Sequence, residues 1–341
     1  MSISYLNQAR KALKTALEDI EALPDAVRQE ILKEAVLRPP RERSWGDLST
    51  NILILLKSKQ EISFDSIEKS LVSAFERLEG VDEVRHEGND YINIRYRPDY
   101  WLDQLPLIIE EGAAYGLEGM TLEAVAVPVP AEVNDLLSCR QQVNAAAMAE
   151  LSMLSGIDIE QEELPQRPAV GFPLAAAISR CTEVKTHFAL IASPAGFIDA
   201  FSPILAIDRT YDNPVFAIPY ARMMLGRLGA TSEQTKAEAK NGVDMSILTL
   251  PEEVTLARGL CSGPLAVERA LKAADGFHLA AHLQELSLLF FRLFDIVHPV
   301  SSTYLTLLEA RPARLQLLGA LDAVINDGVR VLGVDMVKEY A

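Results

Sequence analysis

The sequence predicts an α+β N-terminal domain followed by an all-α helical bundle, with no complete nucleotide-binding sheet. Three observations predict it. Before about position 112, helical spacing of apolar residues alternates with short β-branched and aromatic runs. From Leu174 onward almost every stretch carries helical spacing. Between them stand one strand pattern and one helix pattern, too little for a doubly wound sheet, which needs several parallel strands. The expected domains are 1–112, 113–173 and 174–341, the middle one a degenerate remnant and linker.

Each element has its own signal. Leu6, Ala9, Leu13, Ala16, Leu17 and Ile20 fall three and four apart, one stripe of a helix. Pro24 stands where a second helix can begin, running to about Leu37, and Pro39-Pro40 stops it. Asp47 is placed to cap a helix through Ile54 and Lys57. Residues 64–79 give a further amphipathic helix. Val81 to Arg85 and Tyr91 to Arg95 read as a hairpin around Glu87-Gly88-Asn89-Asp90. Trp101 to Glu111 reads as a helix, and Gly112 to Gly119 as a loop. Leu122 to Val129 is a β-branched strand. Residues 139–155 form a helix closed by Gly156 at a C-cap position. Gln161 to Pro173, acidic and then proline-bearing, reads as a connection. Helices are then expected over 174–192, 213–229, 233–240, 250–259, 263–273, 276–297 and 312–331, with a turn at Asn241-Gly242.

Composition narrows the function classes. The longest apolar runs, such as Ile52 to Leu56, fall far short of the roughly 20 residues that span a bilayer. Met1 to Tyr5 leads straight into a charged helix, unlike a secretory signal. Cys139, Cys181 and Cys261 are odd in number and far apart, and give neither a metal spacing nor a disulfide framework. The expected location is therefore the reducing cytoplasm. A net charge of −16 counts against a nonspecific nucleic-acid binder, and neither DNA nor a membrane is expected as a partner. A structured RNA recognised by shape from a locally basic face stays open. The local basic cluster is Arg38-Pro39-Pro40-Arg41-Glu42-Arg43, which reads equally as a solvated loop.

Catalytic signals are lacking. His278 and His282 stand four apart on a predicted helix, a zinc spacing, but without a metalloprotease Glu or a third ligand they read as a surface pair. Gly226-Arg227-Leu228-Gly229 lacks the strand and the Lys of a phosphate loop. No Ser or Cys stands in a nucleophile elbow. No catalytic residue, cofactor or metal is expected.

Two segments carry a family resemblance. Gly46-Asp47-Leu48-Ser49-Thr50-Asn51 and Tyr91-Ile92-Asn93-Ile94-Arg95, followed by Pro98, Trp101 and Leu102, resemble the N-terminal additional domain of arginyl-tRNA synthetases. Asn213-Pro214-Val215-Phe216 with Tyr220-Ala221-Arg222 resembles the entry to that family's DALR-type anticodon-binding domain. Asp199-Ala200-Phe201, Leu250-Pro251-Glu252-Glu253, Gly263-Pro264 and Leu332-Gly333-Val334 follow the same pattern. The family's catalytic HxGH motif is absent. Counting back from Gly156, its four positions fall on Asp135-Leu136-Leu137-Ser138, and no KMSKS-like loop exists.

The resemblance implies a noncatalytic arginyl-tRNA-synthetase-like protein that binds tRNA, arginine-specific tRNA among the candidates, and could serve as an adaptor for another enzyme. It implies tRNA contacts at Tyr91, Asn93 and Arg95 on the N-terminal strand, and at Tyr220, Arg222, Arg314 and Tyr340 on the bundle. Tyr91 and Asn93 share one strand face, where an aromatic can stack on an unpaired base and an amide can read its edge. Each of these residues also suits plain packing or a surface position. The alternative function is a protein-interaction scaffold that kept the fold and lost the RNA.

Overall fold

The computed structural model describes residues 3–20, 23–58, 64–88, 90–166, 168–169, 171–196, 204–231, 243–297 and 304–334. The helix expected over 233–240, the Asn241-Gly242 turn and Tyr340 lie outside the described residues. The chain divides into two compact units. Unit 1 holds Met1–Gln104 with Gly116–Thr121, and unit 2 holds Leu105–Tyr115 with Leu122–Ala341. Among the described residues no helix is long and apolar enough to cross a membrane.

Unit 1 is α+β. Helix α1 (Tyr5–Glu18) buries the predicted stripe, and the Ser4 hydroxyl caps it by accepting from Asn7 N–H at 3.3 Å. Helix α2 (Asp25–Glu34) ends earlier than expected. The residues after it, Leu37–Arg38, form a short strand β1 instead. Ala35 is already extended, Val36 N–H donates to Asn51 Oδ1 at 2.9 Å, and Pro39 keeps Arg38 in extended backbone.

Asp47 does not cap a helix. Its carboxylate accepts from Tyr96 N–H at 2.8 Å while its own N–H donates to Ile94 O at 2.8 Å. These two bonds lead the chain into β2 (Leu48–Thr50), after which α3 (Ile52–Ser58) begins. Helix α4 (Phe64–Glu76) is followed by β3 (Val81–Glu87), β4 (Tyr91–Tyr96) and α5 (Pro98–Asp103). The four strands form an antiparallel sheet in the order β1-β2-β4-β3. Ile92, Ile94 and Tyr96 turn one face of β4 into the core, beside Leu48. Tyr5, Tyr96, Tyr100 and Trp101 close that core with rings 5.1–6.0 Å apart. Gly80 is required there, since its φ is +78° and a Cβ would lie 2.1 Å from the Tyr100 ring.

Unit 2 begins with α6 (Leu105–Glu111). The single helix expected over Trp101 to Glu111 is therefore two, α5 and α6, parted at Gln104. Next come β5 (Val125–Pro130), α7 (Leu136–Ser155) and β6 (Ile159–Leu164). Strand β6 corrects the expected connection from Gln161. It pairs parallel with β5 in the register Val125↔Ile159 to Pro130↔Leu164, so β5, α7 and β6 make one βαβ unit. The expected C-cap holds: Gly156 takes φ +70° at the end of α7.

The bundle follows, with α8 (Leu174–Cys181), α9 (Glu183–Ile191), α10 (Ile204–Ile207) and α11 (Pro214–Arg227). Thr182, at φ +74°, splits the single helix expected over 174–192, and its hydroxyl accepts from Lys185 N–H at the start of α9. After these come α12 (Pro251–Cys261), α13 (Gly263–Ala273), α14 (Phe277–Val297) and α15 (Arg311–Val331). Helix α14 packs against α11, α12, α13 and α15, and α15 also packs on α6.

One polar cluster joins the βαβ unit to the bundle. Arg140 on α7 is buried and donates to Leu190 O at 3.2 Å, to Ser193 O at 3.1 Å and to both oxygens of Asp275 at 2.7 and 2.9 Å. One turn on, Asn144 donates to Ala274 O at 2.7 Å and accepts from Gly276 N–H at 2.8 Å. Replacing Arg140 leaves a half-buried Asp275 carboxylate unpaired, the costly way to break an ion pair. Arg140→Ala is expected to destabilise unit 2 by about 3–5 kcal/mol. Far-UV circular dichroism in urea should report the loss, while the fluorescence of Trp45 and Trp101, both in unit 1, should keep its midpoint. Unchanged dichroism would show that the cluster is not holding the bundle.

Candidate nucleic-acid interface

The strand register of unit 1 builds a polar face. Arg38 on β1 stands opposite Ser49 on β2, Ser49 opposite Asn93 on β4, and Asn93 opposite Arg85 on β3. Because side chains alternate along a strand, these four share the face turned away from Ile92 and Ile94. Tyr91 and Arg95 flank Asn93 on the same side. The Tyr91 hydroxyl accepts from Arg38 Nη2 at 3.4 Å. Arg95 donates to Ser44 O and lies 3.8 Å from Glu83, which also holds Arg85 at 2.7 Å. Ser44 belongs to the short turn Arg43–Trp45, so this bond places Trp45, 39% exposed, near the face.

Asn93 is not an exposed base reader in the simple sense expected of it. It is only 3% exposed, and among the described residues its side-chain oxygen has no hydrogen-bond partner. A buried amide oxygen without a partner costs about 1–3 kcal/mol, and native proteins leave few of them. The atom lies recessed between exposed arginines and a half-exposed tyrosine. Arg38, Arg85 and Trp45 were missed as individual site residues. Arg38 was legible only as part of a basic cluster, because nothing local in a sequence tells which strands will be neighbours.

The second group of expected contacts divides. Asn213 caps α11 by accepting from Val215 N–H at 3.1 Å and donates to Asp208 O at 2.6 Å. That cap sets Phe216 and Tyr220 one turn apart on one helix face, rings 5.1 Å apart and nearly parallel. Tyr211 stacks on Phe291 of α14 at 4.4 Å, with Phe216 and Tyr220 at 6.4 and 6.1 Å. Gln284 holds this loop by donating to Asp212 O at 2.7 Å. Tyr220 thus stands half-exposed within a stack in which Tyr211, 44% exposed, turns more of its surface to solvent. Arg222, on the next residues of α11, is half-buried.

Arg314 is committed elsewhere. Its Nε lies 3.3 Å from Glu253 Oε1, its Nη1 donates to Tyr304 O at 2.6 Å, and its guanidinium covers the Tyr304 ring at 4.2 Å. Glu253, with no exposed surface, also accepts from Tyr304 Oη at 2.9 Å and from Leu250 N–H at 3.0 Å. Burial, then the Glu253 charge, pushes the Tyr304 phenol well up. Arg314 therefore holds α12 and α15 together and is not free for a phosphate. Tyr340 lies outside the described residues.

Asp135 and Ser138 are spoken for as well. The Asp135 carboxylate accepts from Ser138 N–H at 2.8 Å, and Ser138 Oγ accepts from Asp135 N–H at 3.1 Å, a reciprocal cap at the start of α7. Both residues are buried.

The histidine pair is not a surface pair. His278 is half-exposed, but His282 is buried on α14 and, among the described residues, its Nε2 has no hydrogen-bond partner. Burial, then the positive charge of Arg269, lowers its pKa to about 4. The folded protein holds this ring neutral while the unfolded chain protonates it near 6.5, so stability is lost as the pH falls from about 6.5 to 4.

Comparison with known proteins adds the family. Residues 7–96 match the arginyl tRNA synthetase N terminal domain, and residues 225–339 match the DALR anticodon binding domain. An arginine–tRNA ligase of Nitrobacter hamburgensis is 31% identical over 159 residues, 44% of this chain and 26% of that protein. One of Frankia alni is 34% identical over 136 residues, 38% of this chain and 24% of that protein. The chain thus spans about a quarter of the length of the curated relatives it matches. Arginyl-tRNA synthetase of Plasmodium falciparum superposes with a TM-score of 0.55 at 10% identity, over 99% of this chain and 100% of that one. The Thermus thermophilus enzyme gives 0.52 at 12% identity, over 97% and 99%. The chain carries two arginyl-tRNA-synthetase-like domains, an α+β N-terminal unit and a helical DALR-like region, and among the described residues no large nucleotide-binding sheet stands between them in sequence.

The buried histidine generates a pH test. Wild type should lose about 3 kcal/mol between pH 7 and 4 that His282→Leu does not lose. Urea titrations by circular dichroism at several pH values compare the two, and parallel curves would contradict a neutral buried ring.

Proposed function

We propose that this chain binds tRNA without aminoacylating it, and presents the bound tRNA to another enzyme. The observation that carries the reading is the row Arg38, Ser49, Asn93 and Arg85 across the unit 1 sheet, with a recessed, unpartnered amide oxygen beside Tyr91. A base flipped from a loop could lay its face on Tyr91 and donate an N–H to Asn93 Oδ1, while the arginines meet the phosphates on either side. The matches to a synthetase N-terminal domain and an anticodon-binding domain support the same ligand. On the bundle, the exposed ring of Tyr211, backed by Phe291, Phe216 and Tyr220, is the better candidate for stacking than Tyr220 itself.

The noncatalytic part of the proposal rests on α7. In the catalytic family the HxGH positions hold ATP phosphates; here the corresponding Asp135 and Ser138 are buried against each other as a helix cap. A carboxylate there also opposes phosphate. The β5–β6 pair offers a single parallel crossover and no switch point between strands. A cytoplasmic location fits the free, buried cysteines. The second reading, a protein scaffold without RNA, is favoured by the net charge of −16.

Titration with total tRNA separates the two readings. Saturable binding is expected at low micromolar protein. Tyr91→Ala should weaken it by about 1–3 kcal/mol, and Arg38→Ala should reduce the salt dependence by about one phosphate. Asn93→Ala should cost less, yet relax discrimination between tRNAs. No saturable binding of the wild type would remove the RNA reading and leave the scaffold.

Pyrophosphate exchange tests catalysis separately. Pure protein is expected to give no ATP–pyrophosphate exchange with arginine, with or without tRNA. Robust arginine-dependent exchange would end the noncatalytic reading.

A further inference from the structure

The βαβ unit leaves a sheet edge open. Parallel sheets are ordinarily covered on both faces and continued by further strands. Here β5 and β6 pair only with each other among the described residues, and α7 packs against them. Val127 is fully buried, and Val125 and Val129 share its side. The opposite side presents Ala126, Glu160 and Glu162, all exposed.

The two outer edges differ chemically. Val125 N–H bonds Asp158 O, so Val125, Val127 and Val129 turn their backbone groups toward β6. Ala126, Pro128 and Pro130 face the outer edge of β5, and two of those three have no N–H to give. That edge is blocked. On β6 the same alternation points Ile159, Gln161 and Glu163 outward, each with a full N–H and C=O. Residues Glu160, Gln161, Glu162 and Glu163 are all exposed.

Charge selects the occupant. Arg140 is the one basic residue between positions 122 and 166, and it is buried against Asp275. The open edge carries three exposed glutamates, Glu160, Glu162 and Glu163. A second copy of β6 would set glutamates against glutamates, which disfavours self-pairing across a ladder. An extended segment rich in Lys or Arg meets complementary charge and takes the outward backbone groups.

We propose that the outer edge of β6 is a strand-addition site for a basic, extended segment of a partner protein. The added chain becomes the third strand of the β5–β6 sheet. Its backbone pairs with Ile159, Gln161 and Glu163, and its cationic side chains lie beside Glu160, Glu162 and Glu163. The site is built from residues of unit 2 and the arginine row from residues of unit 1.

The test uses the full chain and a fluorescein-labelled peptide of alternating lysine and valine, with a glutamate–valine peptide as its opposite. Fluorescence anisotropy should show saturable binding of the basic peptide and none of the acidic one. Gln161→Pro removes an outward N–H without touching the β5 ladder and should weaken binding about tenfold or more. The double change Glu160→Lys with Glu162→Lys, which leaves the backbone intact, should do the same. Amide hydrogen exchange gives a readout that does not depend on any variant folding. Ile159, Gln161 and Glu163 should gain protection with peptide, while Glu160 and Glu162, already bonded to β5, should not. Binding of total tRNA should be unchanged in both variants, which keeps a failure here distinct from a failure of the RNA reading. The proposal is overturned by absence of saturable binding, by equal binding of the acidic peptide, by insensitivity to both variants, or by uniform protection along β6. Concentration-dependent self-association abolished by the lysine substitutions would also overturn it, in favour of a second copy.

Discussion

The guanidinium of Arg140 is the constraint on which unit 2 depends. It meets the carbonyls of Leu190 and Ser193 at the end of α9, where unsatisfied carbonyls gather and a positive charge is favourable. It meets Asp275 at the corner between α13 and α14. Asn144 seals the same corner through Ala274 and Gly276. The corner tolerates this because Ala274 takes a left-handed backbone and Gly276 leaves room for Ile191, 2.8 Å from where a Cβ would stand. A two-stranded sheet is marginal by itself. Here it is carried by a helix that is tied into the bundle at two successive turns.

Residues suited to RNA contact differ in how far a buried charge elsewhere in the fold already engages them. A buried carboxylate needs partners, and Glu253 recruits Tyr304 and Arg314 as those partners. Among the described residues no fully buried acid pairs with the arginines of the unit 1 sheet. Glu83, the carboxylate beside Arg85 and Arg95, is itself partly exposed, so its attraction for them is screened by solvent. An acidic protein can therefore offer a local cationic face, because strand pairing gathers Arg38 and Arg85 from distant parts of the chain.

Local signals were legible where one element decides its own shape. The stripe of α1, the Gly156 cap and the hairpin strands β3 and β4 follow from spacing and turn residues. What stayed hidden needed a partner from elsewhere. Strand β6 reads Ile-Glu-Gln-Glu-Glu-Leu, a solvated segment by composition, and becomes a strand only beside β5. Asp47 looked like a helix cap, but Tyr96 N–H, distant in sequence, claims its carboxylate. Thr182 interrupts a continuous apolar pattern through backbone geometry that periodicity does not record. In the candidate site, Tyr91 and Asn93 were readable as one strand face. The burial of Asn93, the stacking of Tyr220 and the engagement of Arg314 were not, since each is set by residues of other elements.

A sheet of two parallel strands meets a physical problem that its sequence addresses. Unpaired edges invite association, and proteins blunt them with proline and charge. Strand β5 carries proline at two of its three outward positions, so one edge is closed to every chain. Strand β6 carries only glutamate and glutamine along its middle, which repels copies of itself without removing a single backbone donor. Closing one edge absolutely and the other by charge alone leaves the second edge selective. It disfavours acidic strands and remains open to a cationic one. On α7, Asp135 and Ser138 cap each other at the start of the helix, which takes up the N–H groups of both residues. The central segment thus spends the start of its helix on a reciprocal cap and keeps one strand edge with its backbone donors intact.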